Sequence, residues 1–157
     1  AELVGGDVPD IWDGASFADG LRSGRSAGRD HLVVSTGAWT CQRSVRFDDY
    51  VAIRTYHDGY RGYPDVMVYD VKADPHEQDD LAEARPDLVG RGMALLDEWH
   101  GEQMRVATCH RDPMHTVLAE GGPFHTRGQL PSYARRLRDT GRAEWADRAE
   151  RRHPREC

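Results

Sequence analysis

The stretch VMVYDVKADPHEQDDLAEARPDLV, residues 66–89, changes character twice along its length. Residues 66–70 are apolar and rich in β-branched and aromatic side chains, which favours a strand. Pro86 suits the first position of a helix, where no backbone hydrogen bond is lost. Five carboxylates fill the acidic corner between them, residues 70–80. The stretch therefore predicts a strand, a polar turn and a helix, as in folds that pack a helix on a sheet.

The acidic corner has two explanations, since its carboxylates could hold a metal or do acid/base chemistry, or could build a turn. Asp74, Pro75 and Glu77 fit a capping box, in which Asp74 accepts from the Glu77 amide and Glu77 reaches back to the cap residue. The corner lacks the central glycine and the alternating oxygen positions of an EF-hand loop. The sequence therefore favours a structural turn over a metal site.

Strands and turns dominate the chain before the corner. Residues 31–39 form a compact apolar run that ends as a strand at Gly37, and residues 44–57 predict a hairpin with a polar turn at Asp48 and Asp49. Val51, Ile53 and Thr55 are expected to alternate along its second strand. Together with residues 66–70, these runs predict a four-stranded antiparallel sheet with one buried face.

Helical spacing begins at Pro86, because apolar residues then recur every three or four positions over about five turns. They are Leu88, Val89, Met93, Leu95, Leu96 and Trp99. The predicted fold class is α+β: a small four-stranded antiparallel sheet packed by this long helix, with a loop-rich and short-helical tail. The expected divisions are a linker segment at 1–29, an α+β subdomain at 30–105 and a C-terminal extension at 106–157.

Both ends of the chain are predicted to be less regular. The linker segment has one short helix, which Ser16 could cap and Gly24 would stop, with Phe17 and Leu21 on its inner face. The extension is predicted to be a loop with two short, heavily charged helices at 132–139 and 142–152. We interpret their charges as a solvated face.

Composition excludes several classes of partner. The net charge is −6 and Lys72 is the only lysine, so no basic face dominates and we expect no nucleic-acid partner. No stretch approaches the roughly 20 apolar residues of a membrane span, and we expect no membrane partner. The excess of arginine and aspartate indicates a GC-rich, bacterial genome. The cysteines, Cys41, Cys109 and Cys157, are too widely spaced for a disulfide framework, which favours a reducing, cytoplasmic location.

Other chemical motifs are weak. His100, Cys109, His110 and His115 could suggest zinc, but their spacing matches no common site, and histidines on a polar loop are the favoured interpretation. No serine lies in a nucleophile elbow, and the glycine-rich phosphate loops are absent from the sequence. The residues alone predict a fold without a visible reaction.

The segment VYDVKADPHEQDDLAE resembles a signature near the C-terminus of arylsulfatase-like sulfatases of the alkaline-phosphatase superfamily. That signature reads hydrophobic-Tyr/Phe-Asp-Leu, then Asp-Pro-x-Glu-x-x-Asn-Leu-Ala, and it is matched by Tyr69, Asp70, Asp74, Pro75, Glu77, Leu81 and Ala82. Asp80 stands where Asn is usual. Residues 45–60 are similar to the family's last hairpin, residues 5–24 to its Asp-Gly-x-Ser-Phe passage and residues 84–104 to its closing helix. The four passages occur in the family's order.

The resemblance implies a longer parent enzyme whose N-terminal α/β domain holds the chemistry. In that domain a Cys/Ser-x-Pro-x-Arg motif gives formylglycine, and calcium offsets charge on the sulfate. Cys41 begins Cys-Gln-Arg-Ser and Cys109 begins Cys-His-Arg-Asp, both with arginine where the motif needs proline. We therefore expect the C-terminal subdomain of a sulfatase that has no catalytic or metal-binding residue of its own and is inactive alone. Calcium and formylglycine belong to the domain upstream.

The expected partners are the parent's own N-terminal catalytic domain and, through the parent, a small sulfate ester. The resemblance places the rim of the substrate cleft at Thr36, Trp39, Gln42, Arg43 and His125. The alternative is structural, with Trp39 buried and Arg43 in the hairpin. Two other functions stay open: the C-terminal domain of a phosphonate or phosphate monoester hydrolase of the same superfamily, and a free-standing interaction module. A homo-oligomer is also compatible with the sequence.

Overall fold

The computed structural model describes residues 1–12, 14–25, 28–109 and 111–156, which fall into two compact units, Ala1–Asp30 and His31–Cys157. The first unit contains a 3-10 helix, Glu2–Val4, and helix α1, Ala18–Ser23. Helix α1 ends at Gly24, as predicted, where the left-handed φ of 68° suits glycine. The predicted inner face is wrong, because the side chains of Phe17 and Leu21 are exposed.

The second unit contains the predicted sheet. Its strands are β1 (His31–Thr36), β2 (Cys41–Phe47), β3 (Tyr50–His57) and β4 (Val66–Asp70). They lie in the order β1-β2-β3-β4, and every neighbouring pair is antiparallel. With the helices that follow, this sheet confirms the α+β class.

Helix α2, Pro86–Val106, begins at the predicted proline and covers one face of the sheet. The core between them consists of Val45, Phe47, Ala52, Val68, Leu88 and Leu96. The expected alternation of Val51, Ile53 and Thr55 is wrong for the face of the sheet that α2 covers. Ala52 pairs with Val45 in register and points to α2 with it, whereas Val51 and Ile53 are only half-buried.

The approach of α2 to the sheet depends on a glycine. A Cβ atom at Gly92 would lie 2.4 Å from the Cβ atom of Ala52 and 3.3 Å from the ring of Phe47. Two small residues therefore meet where the helix crosses β3. The apolar periodicity of α2 did not predict this contact.

The acidic corner is a turn, as predicted, but it is not a capping box. No helix begins at Pro75, and Asp74 Oδ2 accepts from the amides of Gln78 and Asp79 at 2.6 and 2.9 Å. Glu77 has a φ of 53°, so the chain leaves helical geometry there. The chain makes a wider turn than the capping box requires, and α2 starts only at Pro86.

Two other aspartates complete the corner. Asp70 Oδ1 accepts from the amides of Lys72 and Ala73. Asp80 Oδ1 accepts from the amide of Val68, in β4, at 3.0 Å and from the amide of Ala82 at 2.9 Å. Asp80 thus ties the far side of the turn back to the last strand.

The remainder of the chain is more helical than predicted. It contains α3 (Pro113–Ala119), α4 (Leu130–Asp139) and α5 (Ala143–Arg152). The last two confirm the predicted short helices and pack together through Ala134, Leu137 and Ala146. Helix α3 falls in the predicted loop, and the Asp-Pro pair at 112–113 is the signal that was missed. No helix in the described part is both long and apolar enough to span a membrane.

Candidate functional site

A pocket of about 530 Å³, here called the strand-end pocket, lies where the end of β1 meets the end of α2 and the start of α3. It is lined by two of the predicted rim residues, Thr36 and Arg43, and by His100, Cys109 and Asp112 among others. Strand and helix termini thus place several polar side chains around one opening.

A buried ion pair forms one wall of the strand-end pocket. Arg43 Nη2 lies 2.7 Å from Asp112 Oδ1, and the two side chains are only 8% and 3% exposed. Arg43 Nε also donates to Ser35 Oγ, and the guanidinium lies 5.3 Å from the ring of Trp99. Arg43 is therefore held in place by β1, α2 and α3 at once, and it links β2 to all three.

Asp112 makes two interactions in this wall, the ion pair with Arg43 and a helix cap. Its Oδ1 atom also accepts from the Met114 amide at 2.9 Å, which caps α3. Burial alone would raise the pKa of Asp112, but the hydrogen bonds from Arg43 and the Met114 amide outweigh burial and lower the pKa to about 2. The carboxylate is therefore charged at neutral pH.

The other oxygen of Asp112 faces His100. Asp112 Oδ2 and His100 Nε2 are 3.1 Å apart, yet neither atom makes a hydrogen bond of good geometry, and both are buried. A small rotation of the imidazole would form that bond. The pocket thus supplies a carboxylate and an imidazole whose proton that carboxylate can orient. The ring centre of His115 lies 6.2 Å from that of His100.

Trp39 and His125 form a second group of predicted rim residues. Their ring centres are 5.4 Å apart, and the Arg61 guanidinium lies 6.0 Å from the Trp39 ring. Trp39 is 65% exposed, so the alternative of a buried Trp39 is wrong. The backbone here needs Gly59, whose φ is 63° and where a Cβ atom would lie 2.2 Å from the Trp39 carbonyl oxygen.

Gln42 belongs to neither group. Its side chain accepts from Thr40 Oγ1 at 2.8 Å and donates to Thr55 Oγ1 at 3.0 Å. The five predicted rim residues therefore occupy three places: Thr36 and Arg43 in the strand-end pocket, Trp39 beside His125, and Gln42 in a polar ladder on the sheet. Substrate contact by any of them stays a prediction.

A cluster that the sequence did not predict joins the end of β3 to the C-terminal segment. Glu156 Oε1 lies 3.0 Å from His57 Nε2 and 3.1 Å from His153 Nδ1, and His153 Nε2 lies 2.8 Å from Asp58 Oδ1. Tyr60 donates to Glu156 Oε2. These five residues are here called the C-terminal clasp. They are separated by up to 99 positions in the sequence, so no local pattern reveals them.

Within the described residues, His57, His153 and Glu156 are the one group of three whose ligand atoms lie close enough for a metal. However, the amide of Gly59 donates to His57 Nδ1 at 3.0 Å. The proton of a neutral His57 ring must then lie on Nε2, which faces Glu156, and a protonated nitrogen cannot bind a metal. The C-terminal clasp fits a hydrogen-bond network better than a metal site.

The electrostatics of the clasp agree with that assignment. Burial lowers the pKa of His57, and the neighbouring imidazole of His153 lowers it further. Burial and the hydrogen bond to Glu156 both raise the pKa of Tyr60, which keeps its hydroxyl proton. His57 is therefore a neutral donor, and Glu156 is the shared acceptor of the clasp.

Neither cysteine of the described part has the setting of a nucleophile. Cys41 is fully buried, and burial raises the pKa of its thiol. Cys109 is exposed, and its thiol approaches the carbonyl oxygen of Arg111. Of the weighed zinc ligands, His110 lies outside the described residues, and the other three, His100, Cys109 and His115, do not form a metal-binding group.

No family model and no curated protein matches this chain. Solved structures do match it. One is a Bacteroides thetaiotaomicron structure whose description concerns metabolism of multiple glycosaminoglycans, with 18% identity and a TM-score of 0.46 over 62% of this chain and 22% of that one. Another is a Bacteroides fragilis protein described as a sulfatase, yidJ, with 17% identity and a TM-score of 0.46 over 68% of this chain and 22% of that one. Both matches are to sulfatase structures.

The chain spans about a fifth of the length of each matched structure. At these identities the likeness assigns no reaction to the chain. The function proposed below therefore rests on the chain's own residues and contacts.

Proposed function

We propose that this chain is the C-terminal domain of a sulfatase-type sulfuric ester hydrolase. In this role it completes the fold and the rim of the substrate cleft, and it supplies neither the formylglycine nucleophile nor the calcium site. The carrying observation is that the sulfatase-like signature, residues 69–82, folds as one hydrogen-bonded turn between the last strand and the closing helix. The signature has the same position in the sulfatase family that the sequence resembles.

The departure from the signature at residue 80 keeps its contacts. Asp80 stands in place of Asn, and its Oδ1 atom accepts from the amides of Val68 and Ala82. An asparagine carries the same side-chain oxygen and can accept the same two bonds. The substitution therefore leaves the turn intact.

Two of the other sulfatase-like passages also have the secondary structure that the resemblance implies. The hairpin-like passage forms β2 and β3, and the closing passage forms α2, which packs on them. The exposed Trp39 beside His125, and Thr36 in the strand-end pocket, are the side chains that we assign to the rim. Arg43 positions that pocket through its bond to Asp112.

The reaction itself would use groups outside this chain. Sulfate transfer depends on stabilising the charge of the transferring group, which the parent's calcium would supply when bound. The buried thiol of Cys41 cannot replace the nucleophile, because a buried thiol with a raised pKa is a poor one.

Assays of the full-length protein with p-nitrophenyl sulfate and p-nitrophenyl phosphate test this proposal. We expect the sulfate ester to be the better substrate by kcat/KM. Hydrolysis of the phosphate ester without the sulfate ester would replace the proposal with a phosphate or phosphonate monoester hydrolase.

A further inference from the structure

A cavity of about 1010 Å³ lies between the loop of residues 58–63 and the hairpin of α4 and α5. This volume is at the upper end of the range for small-molecule sites, about 300–1,000 Å³. The cavity lies entirely within the second unit and shares only Asp58 and Tyr60 with the C-terminal clasp. It is here called the arginine cavity.

Five arginines line the arginine cavity: Arg61, Arg136, Arg142, Arg148 and Arg152. Among the described residues, carboxylate partners are found only for Arg152, which pairs with Asp58 and Asp65. The other four have no carboxylate partner within the described residues: Arg142 donates to Thr140 and Arg148 to the Gly62 carbonyl, while Arg61 and Arg136 contact aromatic rings. The cavity thus holds several positive charges that no described carboxylate compensates.

The acidic residue that lines the cavity, Asp58, does not compensate them. Its two carboxylate oxygens already meet His153, Arg152 and the amides of Tyr60 and Gly62. Burial is the largest single influence on the pKa of Asp58 and would raise it. The hydrogen bonds from His153 and these amides together outweigh burial and lower the pKa.

Two of the three acids of α5 form ion pairs outside the cavity. Asp147 and Glu150 both pair with Arg138, each at 2.7 Å, outside the cavity lining. The ion pairs of the hairpin therefore lie outside the cavity, whereas the arginines without a described carboxylate partner line it. Like charges gathered in a concave site repel one another, and a bound anion would relieve that repulsion.

Aromatic rings hold two of these arginines in place. The guanidinium of Arg136 lies 5.3 Å from the Tyr133 ring, and that of Arg148 lies 5.5 Å from the Trp145 ring. Stacking holds a guanidinium in place while its N–H groups stay free to bind an oxyanion. Tyr63 and Trp145 also line the cavity and are 39% and 47% exposed, which leaves flat apolar surface for a ligand ring.

We propose that the arginine cavity binds a small cyclic compound that carries several sulfate or phosphate ester groups. Arg61, Arg136, Arg142 and Arg148 bind its oxyanions through charge-assisted hydrogen bonds, and Trp145 and Tyr63 contact its ring. The ligand is small because the chain as a whole carries a charge of −6, which repels an extended polyanion. One proposed rim residue, His125, also lines this cavity, so the site adjoins the rim, but binding here needs none of the sulfatase chemistry.

Calorimetric titration of the full-length protein tests the inference. The probes are sucrose octasulfate and inositol hexakisphosphate, with sucrose and myo-inositol as uncharged counterparts. We expect saturable binding of at least one polyanion, no binding of either uncharged compound, and weaker binding as salt rises. Preference for the first or the second polyanion identifies the ligand's ester as sulfate or phosphate, and both outcomes support the site.

Arginine variants locate the binding. The double variant Arg61→Gln with Arg136→Gln should weaken binding by roughly tenfold or more, because it removes two charge-assisted donors. The matched control, Arg135→Gln with Arg151→Gln, removes the same charge from exposed positions outside the cavity lining and should change affinity by less than about twofold. The single variant Arg136→Glu, on the exposed side of α4, gives an independent test if the double variant fails to fold.

Binding of neither polyanion, or equal weakening by the cavity and control variants, would overturn the inference. So would unchanged affinity in Arg136→Glu. The sulfatase assay is a separate measurement, because ester hydrolysis can be present without this binding and this binding can be present without hydrolysis.

Discussion

At the residue scale, the second unit depends on the charged pair of Arg43 and Asp112, which is almost fully removed from solvent. A buried pair contributes little net stability by itself, but the loss of one partner leaves the other charge buried and unpaired. The sequence placed Arg43 in a hairpin strand and could not show its partner, which is 69 positions away.

The variant Asp112→Asn tests this pair. Asparagine keeps an oxygen for the Met114 amide, so the change mainly removes the charge opposite Arg43. We expect the free energy of unfolding, measured by urea denaturation, to fall by about 3 kcal/mol. The matched control Asp79→Asn, at an exposed position in the acidic corner, should change it by less than about 0.5 kcal/mol. Equal effects of the two variants would refute the role of the pair.

The same residue predicts a pH dependence. The pKa of Asp112 is about 2 in the folded protein, against an ordinary value of 3.8. Because the folded pKa is the lower one, Asp112 contributes stability above pH 3.8, and that contribution of about 2 kcal/mol is lost as the pH falls toward 2. The difference in unfolding free energy between the wild type and Asp112→Asn should therefore shrink between about pH 5 and pH 2.5. A constant difference across that range would contradict the assignment.

At the element scale, the strands and α2 could be predicted because burial of one face leaves a period of two or of three to four in the sequence. The capping box failed because its residue pattern fits more than one turn, and Glu77 adopts a left-handed conformation instead. The contact of Gly92 with Ala52 also escaped prediction, because a glycine in a helix carries no apolar signal.

Substitution of Gly92 tests the packing of α2 on the sheet. Alanine favours a helix over glycine by about 1 kcal/mol, but a Cβ atom here would lie 2.4 Å from that of Ala52. We expect Gly92→Ala to lower the free energy of unfolding by about 1–3 kcal/mol. Gly90→Ala, on the same helix with no atom within 4 Å of the added Cβ, should raise it by up to about 1 kcal/mol. A stabilising Gly92→Ala would show that the helix does not lie this close to β3.

The acidic corner makes its own prediction. Asp80→Ala removes the acceptor of the Val68 amide, a buried donor in β4, and should lower the free energy of unfolding by about 1–3 kcal/mol. Asp80→Asn keeps the oxygen and should have little effect. Both are measured by urea denaturation, and similar losses for the two variants would mean that the negative charge, and not the accepted hydrogen bonds, stabilises the turn.

At the scale of the whole molecule, most of the candidate site depends on contacts between distant segments. The C-terminal clasp brings residues 57–60 to residues 153–156, and the arginine cavity adds the α4–α5 hairpin to the same loop. The charges of that hairpin looked like a solvated face in sequence, because a linear pattern does not show which arginines lack acidic partners. The sulfatase-like passages, in contrast, are continuous in sequence and could be read directly.

Sulfate release from p-nitrophenyl sulfate, by the full-length protein and by the 157-residue chain purified in parallel, tests the central proposal most directly. We expect turnover by the full-length protein and none by the chain, because the proposal assigns the closing sheet, the rim and α2 to the chain and the nucleophile to the domain upstream. Turnover by the 157-residue chain at the rate of the full-length protein, or no sulfate ester hydrolysis by the full-length protein, would contradict the proposal.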